Sequence, residues 1–61
     1  MNLERTILIA DDDDADRLET RRLIEATGLI DEFLIIEAST GIECLALCEA
    51  HKPEILLLDD R

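Results

Sequence analysis

A chain of 61 residues with 16 acidic and 6 basic side chains, for a formal charge of −10, has room for one domain and no basic surface to hold nucleic acid or an anionic membrane. Its 48% apolar content is too high for a disordered acidic tail, and its single aromatic, Phe33, is too little for a base- or sugar-stacking site. No apolar run approaches the length of a spanning helix and no signal peptide opens the chain, so a cytoplasmic protein is expected.

After a short polar lead, residues 6–10 (Thr-Ile-Leu-Ile-Ala) form an apolar run of strand length, suited to burial on both faces. Asp11, Asp12, Asp13 and Asp14 cannot continue it, because four adjacent carboxylates must be solvated or bound. Asp13 or Asp14 is a good N-cap, and a helix is predicted over 14–27 with Gly28 as its stop. At 100° per residue Thr20, Leu23, Ile24 and Thr27 share its apolar face. Arg17, Glu19, Arg21, Arg22 and Glu25 take most of the remainder, and Leu18 falls outside the stripe.

Residues 29–32 connect to a second strand over 33–37. Ser39 or Thr40 then caps a second helix that runs to about His51 and is ended by Pro53. Gly41, Cys44, Leu45 and Cys48 form its main stripe. Ile42, Ala46, Leu47 and Ala50 make much of the rest apolar too, so this helix calls for cover on more than one side. Residues 55–58 (Ile-Leu-Leu-Leu) are the third strand, followed by Asp59 and Asp60.

Short connections and right-handed crossovers turn this β-α-β-α-β series into an α/β doubly wound unit. Its strand order is 2-1-3, with one helix on each face and the acids gathered at the carboxyl rim. Cys44 and Cys48, four apart on one helix, do not suit a disulfide. A zinc site that adds His51 is a weaker reading than two small apolar side chains in a reducing compartment.

Three blocks now stand at fixed spacing: Ile7-Leu8-Ile9-Ala10-Asp11-Asp12-Asp13, Glu37-Ala38-Ser39-Thr40-Gly41-Ile42-Glu43 and Pro53-Glu54-Ile55-Leu56-Leu57-Leu58-Asp59. Together they resemble the receiver domain of two-component response regulators, over essentially the whole chain. The resemblance implies the first half of a flavodoxin-like fold. In that family a sensor histidine kinase passes a phosphoryl group to an aspartate, so Asp59 corresponds to the phosphoacceptor. Asp11 and Asp12 correspond to the pair that holds Mg²⁺, and the main-chain carbonyl of Arg61 to a further ligand. A hard cation on oxygen ligands suits this chemistry, since it screens a weak carboxylate nucleophile from an anionic phosphoryl donor. Asp13, Asp14 and Asp16 are read as helix caps and solvated charges.

The hydroxyl residue and the lysine that the family carries on its fourth and fifth strands have no counterpart in these 61 residues. Weak Mg²⁺ binding, no independent enzyme activity and no signalling by this chain alone are therefore expected. The alternative is a structural half-domain that self-associates. The apolar third strand, read as central yet left at an edge, implies a symmetric homodimer joined through it.

Overall fold

Five consecutive apolar or small side chains that alternate between the two faces of a strand can be buried only if both faces are covered. That condition is met for the first strand. The computed structural model describes residues 5–28 and 31–58. They form β1 (Arg5–Ala10), α1 (Asp14–Ala26), β2 (Phe33–Ala38), α2 (Gly41–His51) and β3 (Ile55–Leu58). The strands make one parallel sheet in the order β2-β1-β3, as the crossover rule requires. Central β1 holds the best-buried side chains, Ile7, Leu8 and Ile9.

Residues paired in parallel register stand on the same face. Ile7 and Ile9 therefore share a face with Phe33, Ile35 and Glu37 on β2 and with Ile55 and Leu57 on β3. Ile24 of α1 joins Ile7, Ile9, Phe33 and Ile35 in one buried cluster on that face. The opposite face presents Thr6, Leu8 and Ala10, with Leu34, Ile36 and Ala38 on one side and Leu56 and Leu58 on the other. It is covered by α2, which packs on β1 and β2. Arg5 opens β1 rather than belonging to the lead; its guanidinium lies 4.5 Å from the centre of the Phe33 ring and its Nε donates to Glu54.

The helix ends follow from local chemistry. Asp13, in extended backbone conformation, accepts from the main-chain N–H groups of Ala15 and Asp16 and caps α1. Thr40 caps α2 by accepting from Glu43 N–H, while the Glu43 carboxylate reaches back to Ser39 N–H. Gly28 follows α1 at φ +83°, a left-handed position where a glycine is unstrained.

The stop of α2 is less expected: Lys52, directly before Pro53, closes the helix in the left-handed conformation at φ 47°. A β-carbon there costs about 1–2 kcal/mol, and glycine's greater unfolded freedom takes back about 0.5–1. Lys52→Gly should therefore stabilise the chain by about 0.5–1 kcal/mol, read as a higher urea midpoint at unchanged slope.

Both helices are rotated from the faces that periodicity selects. On α1, Leu23 is 63% exposed and Thr27 is exposed, whereas Arg17, Thr20 and Arg21 are partly buried beside Ile24. The physical reason is Glu37, an acid on the α1 face of the sheet that draws both arginines inward. On α2 the inward residues are Cys44, Leu47 and Cys48, while Gly41 and Leu45 face out and no residue is fully buried. β3, apolar on both faces and expected at an edge, lies there with all four side chains exposed, the main helix contacts being those of α1 with β1 and of α2 with β1 and β2. Among the described residues no helix is long and apolar enough to cross a membrane.

Candidate site at the carboxyl end of the sheet

β1 runs straight into Asp11, whose main-chain N–H donates to Ala38 O at 3.0 Å and so continues the ladder to β2 one residue past the strand. Asp11 is only 9% exposed. Its Oδ1 accepts the Asp13 main-chain N–H at 2.8 Å, which folds the acidic loop back over the end of the strand. Asp12 is exposed at the tip, and Asp13 and Asp14 lead into α1. The residues expected to cap the helix do so, Asp13 foremost.

The loop is clamped by groups that periodicity placed on the outer face of α1. Arg17 Nη1 donates to the main-chain O of Asp11 at 2.6 Å, Nε to Glu37 Oε1 at 3.0 Å, and Nη2 to Asp14. Arg21 Nη1 donates to the other Glu37 oxygen at 2.7 Å and its Nε to Glu25 at 3.3 Å. One carboxylate on β2 thus receives two guanidinium groups one helical turn apart. Asp14 chiefly, with Glu37 adding and burial opposing, raises the pKa of Arg17 above its ordinary value. For Arg21 the chief cause is Glu37, with Glu25 adding and burial again opposing. Both remain cations at any working pH and offset part of the acid charge at this rim. The sequence does carry a signal for this network: Arg17 and Arg21 are four apart, and Glu37 interrupts an otherwise apolar strand.

The strand order sets the end of β1 between those of β2 and β3, and in open α/β sheets ligands sit at the carboxyl ends of the strands. A cleft of about 130 Å³ lies there, lined by Ile9, Asp11, Thr20, Leu57 and Leu58. Asp11 is the charged member of its wall. Asp11 and Asp12 are brought to this rim together. Asp59 and Arg61, the expected phosphoacceptor and carbonyl ligand, lie outside the described residues, as does Asp60. Among the described residues no group of three or more His, Cys, Asp or Glu side chains converges as a metal centre.

Cys44 and Cys48 are free thiols on the inner side of α2 and are half-buried. Burial first, then the neighbouring Cys48, pushes the Cys44 thiol up from its ordinary value. A thiol so disfavoured as thiolate is not an activated nucleophile, and a packing role remains.

No protein-family profile matches the chain, and no match emerges among curated proteins or among solved structures.

Proposed function

We propose that this chain is the first half of a phosphoacceptor receiver, acting in the cytoplasm, with a cation site built around Asp11 and Asp12 and with Asp59 as the residue a sensor histidine kinase would phosphorylate. The observation that carries this reading is Asp11: a carboxylate 9% exposed at the end of the central strand, in the wall of the cleft between β1 and β3. A buried carboxylate at the carboxyl end of the central strand suits a ligand-binding role, and its oxygens, with those of Asp12, form a hard donor set. The spacing of the three sequence blocks supplies the rest.

The donor set fits Mg²⁺ in kind. Asp11 and Asp12 would hold it, joined by Asp59 and the Arg61 carbonyl. When bound, the cation would supply charge screening between a carboxylate nucleophile and a phosphoryl donor. The protein's own part is positional: the Asp13 N–H fixes one Asp11 oxygen, and Arg17 holds the Asp11 carbonyl. Affinity should be weak, since among the described residues no group of three or more candidate ligands converges there.

Titration with Mn²⁺ or Mg²⁺ should show saturable binding that is lost in Asp11→Asn/Asp12→Asn. Incubation with acetyl phosphate and Mg²⁺ should label the wild type and leave Asp59→Asn unlabelled. Equal binding by the double variant would reduce the acidic loop to a diffuse counterion cloud and end the receiver reading.

A further inference from the structure

A guanidinium stands inside the acidic loop. The Arg17 side chain is only 15% exposed, and its nitrogens go to three different elements. Nη1 donates to the main-chain O of Asp11 at the end of β1, Nη2 to Asp14 at the start of α1, and Nε to Glu37 on β2 at 3.0 Å. The fork therefore ties both ends of the stretch 11–14 to the sheet, with Asp12 between them. Glu37 is held in turn: its second oxygen accepts from Arg21 at 2.7 Å, one helical turn along α1.

For a cation seated at Asp11 and Asp12 this arrangement has two opposite effects. The guanidinium charge repels the ion and weakens binding. The fork, by contrast, holds adjacent carboxylates that would otherwise spread apart, so their ordering is complete before the ion arrives. Magnitudes decide between the two. Loss of a partner that orients a metal ligand typically costs about 10–100-fold in affinity. A single charge at an open rim is screened over about 8–10 Å, and Asp14 and Glu37 already offset this one. Position outweighs charge.

We infer that Arg17 is a positioning residue that strengthens divalent-cation binding at Asp11 and Asp12 in spite of its own charge, and that Glu37 sets this affinity from β2 by holding the fork. The inference rests on the cation reading of this rim. Shape carries the effect. A lysine at position 17 keeps the charge, but its ammonium is a point donor on a flexible stem and cannot reproduce a planar fork aimed at three partners.

The test is Mn²⁺ binding to the 61-residue chain at low salt, read from the electron paramagnetic resonance signal of the free ion. Circular dichroism at the same temperature establishes that each variant is folded. Arg17→Lys should bind about 10–100-fold more weakly although no charge has changed. Arg17→Gln should also bind more weakly, although a repelling charge has gone. A purely structural role would lower the melting temperature of both and leave the affinity of the folded protein unmoved. Glu37→Gln should weaken binding as well, and Arg17→Lys/Glu37→Gln should bind as Arg17→Lys does, because both act through one fork. Arg22→Gln removes the same charge from an exposed position on α1 and should bind as tightly as wild type or more so.

Arg17→Lys as tight as wild type, Arg17→Gln tighter than wild type, or losses that add in the double variant would each overturn the inference and leave the cation reading standing. A wild type without saturable binding, or one matched by Asp11→Asn/Asp12→Asn, ends the cation reading and this inference with it. Where Arg17→Gln is unfolded, Arg17→Lys and Glu37→Gln decide.

Discussion

Leu8→Ala should remove a large part of this chain's folding stability, about 2–5 kcal/mol. Leu8 is fully buried at the centre of the sheet, on the face that α2 covers, and shares that face with Ile36 and Leu56. Truncating a buried leucine removes its transfer free energy and leaves a cavity, together about 2–5 kcal/mol. A 61-residue domain at typical stability per residue has only about 3–9 kcal/mol in total. The loss is thus on the order of half the whole. Leu45→Ala is the matched control: the same atoms are deleted from a side chain already 70% in solvent, and the change should stay within about 0.5 kcal/mol. Urea unfolding of both variants decides the matter. Equal losses would mean that α2 turns a different face to the sheet.

Glu37→Gln should lower the melting temperature by about 4–8 °C, the scale of a small domain losing one charge-assisted contact. Two effects oppose each other here. In a chain of charge −10, removing any carboxylate relieves diffuse repulsion. Glu37, however, accepts from Arg17 at 3.0 Å and from Arg21 at 2.7 Å, and a neutral amide removes the counter-charge they share, leaving each only its helix partner, Asp14 or Glu25. Contact-distance pairs that are partly shielded from solvent outweigh repulsions spread over a Debye length or more. The sign should reverse for Glu19→Gln, an exposed acid on α1, the helix that carries both arginines, which should be neutral or slightly stabilising. Added salt should narrow the difference between the two variants. A Glu37→Gln protein as stable as wild type at low salt would show that the clamp contributes nothing to the fold.

The outer face of α1 is where periodicity and structure part company. Counting apolar residues at 100° steps selects Leu23 and Thr27 for the interior and places Arg17 and Arg21 in solvent. That count knows nothing of Glu37, which lies 16 residues beyond Arg21 and reaches α1 only through the crossover. Once β2 pairs with β1, Glu37 stands opposite Ile9 on the α1 face, and the helix turns to satisfy it. The same limit applies to α2, whose nearly all-round apolar sequence has no stripe distinct enough to orient it. Packing on β1 and β2 brought Cys44, Leu47 and Cys48 inward and left Leu45 out.

Local chemistry determined what the amino-acid sequence alone could determine. The apolar runs set the three strands, and carboxylate and hydroxyl caps set both helix starts. Gly28 and Pro53 set the stops, and the alternation of elements, with the right-handed crossover, set the order β2-β1-β3. Each of these depends on residues within one or two turns of each other, or on a chirality common to all chains. Only the tertiary structure decided which side chains of each helix face the sheet, that Arg17 holds the Asp11 carbonyl, and that the Asp11 carboxylate is nearly buried in the cleft wall. Those facts rest on contacts between segments far apart in the chain, where a single opposing charge is strong enough to override the apolar count.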